Sequence, residues 1–182
     1  VSTSCIGVAL FDLKGKLLQL THVSPKVKEN VDKHDELMLK SDLFKAFLKQ
    51  YRGLKIVNVF IEEPLLHSNN INTVGILQKF NGLISRIVYD DLGVLPKYVT
   101  TYESRSIAFP DLLRENDKGK VVLFGGFPKD VDKKHEIWKR VADREPQITW
   151  LHDKKGNLKK ECFDMSDAYT VCLSGMRLLK AW

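Results

Sequence analysis

Leu54-Lys55-Ile56-Val57-Asn58-Val59-Phe60-Ile61-Glu62-Glu63-Pro64 is the stretch on which the fold turns. Residues 54–61 are apolar at nearly every position and rich in β-branched side chains. That is the composition of a central strand covered on both faces, since a half-exposed strand alternates. Pro64 cannot continue a central ladder, so the strand ends at Glu62-Glu63. A strand buried on both sides needs helices above and below it, and the flanking sequence is read for them.

Upstream, residues 5–11 (CIGVALF) form a short apolar strand, residues 12–16 a turn, and residues 17–23 a returning strand, together a hairpin. A polar connection with Pro25 leads to a helix over 32–51, whose apolar stripe is Leu37, Phe44, Phe47 and Leu48 and which Arg52-Gly53 ends. Downstream, 71–92 is a long helix with Ile76, Phe80, Leu83, Ile84, Ile87 and Val88 inward. A short strand over 97–101 and a helix over 104–113, interrupted at Pro110, follow. Residues 119–127 fit either a strand or an ordered loop. A helix over 130–143 turns Val131, Ile137, Trp138 and Val141 inward. Residues 148–152 and 158–162 flank a turn as a second hairpin, and a helix over 166–182 closes the sequence. This order predicts an α/β fold: a mixed sheet with helices on both faces. No repeat or low-complexity linker divides residues 1–182, so a single domain is expected.

Composition narrows the function classes. The hydrophobic fraction is 43% and the charged fraction 29%, an ordinary globular balance. No apolar run approaches the roughly 20 residues of a membrane-spanning helix, and the start lacks the pattern of a secretory signal. The expectation is a protein without a membrane partner. Cys5, Cys162 and Cys172 are odd in number and widely spaced, which suggests neither a disulfide framework nor a zinc cluster. A reducing, cytoplasmic setting follows (the host cytoplasm for a phage-encoded chain). The net charge of +6 mildly favours a polyanionic partner. Lys129, Lys133, Lys134, Lys139, Arg140 and Arg144 crowd one segment, and Lys154, Lys155, Lys159 and Lys160 another. Acids lie among both, so a plain solvated face is the competing reading.

Glu62 stands at the carboxyl end of the central strand, where open α/β sheets place their ligands. A poorly solvated acid there needs a partner, and a cation is the natural one; a strand-end acid turned to solvent is the alternative. Asp164 and Asp167, three apart, would share a helix face. They would equally serve as a helix cap and first-turn acid, where the helix dipole favours negative charge. Carboxylates from separate parts of a chain are what hard divalent ions require. Mg²⁺ suits such a set, with Mn²⁺ as a substitute. Two ions about 3.5–4 Å apart would serve phosphodiester hydrolysis by stabilising the attacking and the leaving oxygen.

The order of these motifs resembles that of RuvC-like Holliday-junction resolvases of the ribonuclease-H-like, retroviral-integrase superfamily. Val1-Ser2-Thr3-Ser4-Cys5-Ile6-Gly7-Val8-Ala9-Leu10-Phe11-Asp12 looks like the family's first strand and turn. Ile61-Glu62-Glu63 resembles its second acid, and Asp164-Met165-Ser166-Asp167-Ala168 its C-terminal Asp-x-x-Asp-Ala pair. Lys133-Lys134-His135-Glu136-Ile137-Trp138 resembles the basic helix ahead of that pair in phage and bacterial members. In the family a catalytic Asp immediately precedes the stretch that begins here at Val1; the sequence has no initiating Met, so that Asp is expected one position before Val1, the alternative being a protein that lacks this metal ligand and binds branched DNA but cuts it poorly.

The resemblance implies a metal-dependent endonuclease that nicks symmetrically related strands of a four-way DNA junction as a homodimer. Glu62, Asp164 and Asp167 would be catalytic and hold the metal; Lys79, Arg86, Lys133, Lys134, Lys139 and Arg140 would contact phosphates. Phe80 is a candidate junction wedge, against the plainer reading of a core or dimer-interface residue. The five histidines are not placed at the site by the sequence; His67, close after Glu62, is the one to test for acid–base work. Alternatives on the same fold are a structure-specific DNA-binding protein without cleavage, and a nuclease acting on RNA. Ser2-Thr3-Ser4 with Gly15-Lys16 also resembles the phosphate loop of sugar kinases, which need a second domain for which 182 residues leave no room.

Overall fold

The computed structural model describes residues 3–26, 31–64 and 71–180. Strands β1 (Ile6–Phe11) and β2 (Leu17–Val23) pair antiparallel from Ile6↔Val23 to Leu10↔Gln19. Asp12 fixes their turn by accepting from the Lys14 and Lys16 amides at 2.9 and 2.8 Å. Successive strand residues point to opposite faces, and β1 uses both. Ile6, Val8 and Leu10 pack with Leu37, Phe44 and Leu48 of α1 (Lys33–Leu48) and Phe80, Ile84 and Val88 of α2 (Ile71–Leu92). Ala9 and Phe11 join the other cluster, built on Ala108, Phe109, Leu112, Ile137, Val141 and Tyr169. That cluster draws on α3 (Thr101–Ala108), α4 (Lys133–Arg144) and α5 (Glu161–Lys180). Helices therefore cover both faces, as the sequence predicts.

The strand expected over 54–61 is shorter. Strand β3 is Phe60–Glu62, paired parallel with β4 (Lys97–Val99) in the register Glu62↔Val99. Leu54 and Val57 are 50% and 45% exposed, so the apolar run marks a segment covered on both faces only towards its end. One mixed sheet was expected; among the described residues the strands form three pairs, β1–β2, β3–β4, and β5 (Leu113–Glu115) with β6 (Val121–Leu123). The stretch 119–127 resolves into β6 and a turn in which Phe124 takes φ 62°, a left-handed conformation rare for a bulky residue. The helix expected over 104–113 starts at Thr101 and ends at Ala108, before Pro110. The second hairpin reduces to one bridge, His152↔Leu158. The helix expected from 166 begins at Glu161 instead, where Glu161 and Asp164 complement its N-terminal dipole.

Helix α5 touches β1, β2, β3, β4, α3 and α4, and two glycines set how closely. A Cβ on Gly7 of β1 would lie 2.0 Å from the Asp164 carbonyl oxygen. A Cβ on Gly175 of α5 would lie 2.3 Å from the Phe60 ring. Phe60 therefore faces α5, Ile61 lies in the α1–α2 cluster, and Glu62 points back to the α5 side. Cys5 and Cys162 are buried and Cys172 half-buried, all as free thiols.

Gly7→Ala is expected to lower stability by about 1–3 kcal/mol, because backbone rather than a flexible side chain must give way. Gly175→Ala should cost a similar amount, and most of that should be recovered in a Phe60→Leu background. Urea unfolding midpoints of the single and double variants measure both.

Candidate active site

Glu62 ends β3, and its parallel partner β4 leads directly into α3. Thr100 caps α3: its hydroxyl accepts from the Glu103 amide at 3.1 Å, while the Glu103 carboxylate accepts from the Thr100 amide at 2.9 Å. This reciprocal capping box fixes the entry of the helix, and those bonds hold the Glu103 carboxyl below its ordinary range. The next residue, Thr101, donates its hydroxyl to Glu62 Oε1 at 2.8 Å. From the other side the buried Asn81 of α2 donates to the Glu62 backbone carbonyl at 3.1 Å. Glu62 is thus held by its main chain and its side chain.

Asp164 and Asp167 lie one turn apart in the first half of α5. Because the helix begins at Glu161, Asp164 is not its cap; both acids are part of the helix, half-buried. Burial pushes the Asp164 carboxyl above its ordinary range; a hydrogen bond from the Cys5 thiol and the charge of Lys134 act in the opposite direction. Burial likewise raises the Cys5 thiol to about 12, so it stays protonated and able to donate. Asp167 is pushed up to about 6, first by burial and then by the negative charge of Glu62; Arg105 and Lys134 pull it down in part. Arg105 of α3 reaches Asp167 Oδ1 at 3.5 Å with a side chain 15% exposed, and its Nε is buried without a hydrogen-bond partner.

Glu62, Asp164, Asp167, Thr101, Arg105 and Lys134 all line one cavity of about 610 Å³, whose remaining wall is mostly apolar. The three acids predicted from separate parts of the sequence are therefore brought to one place. Among the described residues, no group of three or more His, Cys, Asp or Glu is already arranged to hold a metal ion. The donor set nevertheless suits a hard cation: all three are carboxylates, and two of them resist ionisation in its absence.

Thr101 and Arg105 were not read from the sequence. Thr100-x-x-Glu103 carries a capping signature that would have set the start of α3 and with it Thr101. No local pattern distinguishes Arg105, whose role follows from α3 packing on α5.

The other expected residues are scattered. Lys79 of α2 and Lys133, Lys134 and Lys139 of α4 are exposed, Lys133 lying 5.6 Å over the Phe124 ring. Arg86 pairs with Asp90 at 2.9 Å. Arg140 spans Asp111 and Glu136, each at 2.7 Å, tying α4 to the segment after α3. Phe80 is 0% exposed within the α1–α2 core, the plainer of its two readings. His67 lies outside the described residues. No helix among the described residues is long and apolar enough to cross a membrane.

Two packed helical layers around a hairpin and a parallel strand pair, with acids at a strand end and on the last helix, define a RuvC-like, ribonuclease-H-like α/β fold. No family model matches the chain, and no curated protein matches it. Four solved chains do. Among them is the Thermus thermophilus RuvC structure, at 14% identity, over 97% of this chain and 89% of that one, with a TM-score of 0.55. At that identity the likeness establishes the fold.

Asp167 generates a pH dependence whose sign is opposite to that of a salt-bridged acid. A carboxyl whose folded pKa exceeds its unfolded value adds stability below about pH 4 and loses it as pH rises through about 6. In metal-free protein, Asp167→Asn should therefore raise stability at pH 7, by up to about 3 kcal/mol, and flatten the profile between pH 4 and 6. Chemical unfolding across that range with a chelator present measures it.

Proposed function

We propose that this protein is a metal-dependent endonuclease acting on branched DNA, with the four-way Holliday junction as its substrate. The observation that carries the reading is convergence: Glu62 at a strand end and Asp164 and Asp167 on α5 meet in one cavity of a RuvC-like fold. Glu62, Asp164 and Asp167 would hold Mg²⁺ or Mn²⁺, two ions per site. The bound metal would supply an activated water and charge neutralisation at the leaving oxygen. Each residue contributes something definable without it. Thr101 orients one oxygen of Glu62, and Cys5 orients Asp164. Arg105 offsets the charge of Asp167.

Lys134 joins the cavity to the exposed face of α4, where Lys133 and Lys139 also lie, so a phosphate backbone entering there would follow α4. Lys79 on α2 would add a contact. Arg86 and Arg140 would first have to leave the carboxylates that hold them. Such contacts carry affinity and salt dependence rather than sequence choice. Two symmetrically related strands require two such sites, hence a homodimer.

The test is cleavage of a synthetic four-way junction by the chain, together with whatever residues its gene encodes before Val1. Mg²⁺-dependent paired nicks are expected. Glu62→Gln and Asp167→Asn should each slow cleavage by about 100-fold or more while leaving junction binding within a few-fold. Normal cutting by both variants would overturn the assignment. Binding without cleavage would establish a structure-specific DNA-binding protein instead, and matched RNA and hybrid substrates decide the nucleic acid. Lys134→Ala should weaken junction binding and reduce the slope of log affinity against log salt by about 1.

A further inference from the structure

On α4 and the segment that follows it, three rings touch in a row. His135 lies 4.9 Å from Trp138, centroid to centroid, and Trp138 lies 5.9 Å from Trp150 at an interplanar angle of 76°. His135 is exposed and both tryptophans are half-buried. Trp150 packs on the cluster that holds Ile137 and Val141, so the row is anchored from below. The Trp138 Nε1 is buried without a hydrogen-bond partner. What this indole shows to solvent is therefore carbon, not its donor.

The neighbouring aromatic rings are already in use. Lys133 lies over Phe124, Arg114 and Arg140 over Phe127, and Arg144 over Phe109. Among the described residues no cation lies over Trp138 or Trp150, although indole is the ring best suited to one. The lysines of the same stretch are uncommitted as well. Lys134, Lys139, Lys154, Lys155, Lys159 and Lys160 are exposed and make no salt bridge among the described residues. Four acids interspersed with them are held by other groups: Asp132 caps α4, Glu136 holds Arg140, Glu145 accepts from Tyr169 and Gln147, and Asp153 accepts from the amides of its own turn. Uncovered rings thus stand among uncompensated positive charge. Residues three and four apart on a helix are neighbours. Trp138 is therefore one turn from Lys134, which lines the cavity of the acids, and beside His135.

We propose that His135, Trp138 and Trp150 form a stacking platform for unpaired nucleotides of the DNA substrate, one helical turn from the acid-lined cavity. Bases within a duplex cover one another, whereas an unpaired base offers its face to a ring. The exposed lysines would carry the phosphates of the same strand. The site suits DNA in which a single-stranded segment leaves the branch point, and it reads no sequence, since every base has such a face. The inference rests on the DNA-binding part of the function proposed above, and it adds a contact that fully paired DNA does not use.

The test is titration of the chain with an oligothymidine of about ten nucleotides and with a blunt duplex of equal length, read by tryptophan emission with a chelator present. A Trp182→Phe background leaves Trp138 and Trp150 as the emitting residues. The single strand should quench this emission and the duplex should not. Trp138→Leu should weaken single-strand binding about tenfold and leave duplex binding within about twofold, and Trp138→Phe should restore most of the loss. Unlike Lys134→Ala, Trp138→Leu should leave the slope of log affinity against log salt unchanged. If Trp138→Leu lowers the urea midpoint, His135→Ala serves in its place, because that ring is exposed. Quenching that is absent, or equal for the two probes, overturns the platform, and junction cleavage by the same preparation then shows that the nuclease reading survives. Single-strand-specific quenching by a chain that cuts no junction keeps the platform and overturns that reading.

Discussion

The structure depends on the contact between Gly7 and the backbone of Asp164. A helix laid across a strand normally stands off by the depth of a side chain. Here the strand offers no side chain, and the carbonyl of Asp164 occupies the space a Cβ would need. This brings the first turns of α5 against β1, buries Cys5 beneath Asp164, and turns Asp164 and Asp167 into the cavity that Glu62 enters from the end of β3. The second close approach, Gly175 on Phe60, fixes the other half of α5 over β3. One helix thereby sets the relation between two strand pairs that share no hydrogen-bonded ladder among the described residues.

Charge is arranged against stability at the same place. Four carboxylates, Glu62, Glu63, Asp164 and Asp167, share the cavity with one arginine and one lysine, and both α5 aspartates are harder to ionise than free ones. A sequence optimised for folding alone would place an amide or an apolar residue at position 167. Strain of this kind is characteristic of sites built for a partner that arrives later. Helix ends elsewhere are conventionally satisfied: Asp32 and Asp132 cap α1 and α4, and Arg177 donates to the Ile107 and Ala108 carbonyls where α3 ends.

Much of this was legible in the sequence because it rests on local pattern. The β1–β2 hairpin, α1, α2 and α4 follow from apolar periodicity and turn residues, and the three acids follow from their positions at a strand end and on one helix face. What escaped was non-local. The run at 54–59 is nearly as apolar as a central strand, yet only Phe60–Glu62 pairs, with β4, and residues 54–59 join no ladder among the described residues. The start of α5 lies five residues before the expected one because Asp164 reads as a helix cap in the sequence; the hydrogen bonds from Cys162 and Phe163 to the Lys159 and Lys160 carbonyls show the turn forming earlier. Arg105 is an ordinary residue in an ordinary segment until α3 meets α5.

α5 follows in chain order every element it touches. Until it has been synthesised, the cluster that holds Ala9, Phe11, Phe109, Leu112, Ile137 and Val141 lacks the surface that Tyr169 and Leu173 supply. Folding therefore includes contacts between the two ends of the sequence, such as Gly7 with Asp164 and Phe11 with Tyr169, which places the molecule among topologies whose search is slow. On the ribosome the nascent chain carries its apolar helix faces uncovered for most of translation, a period in which holding chaperones have their substrate. Because Asp164 and Asp167 lie on this last helix, a nascent chain that ends before it does not hold the three acids together.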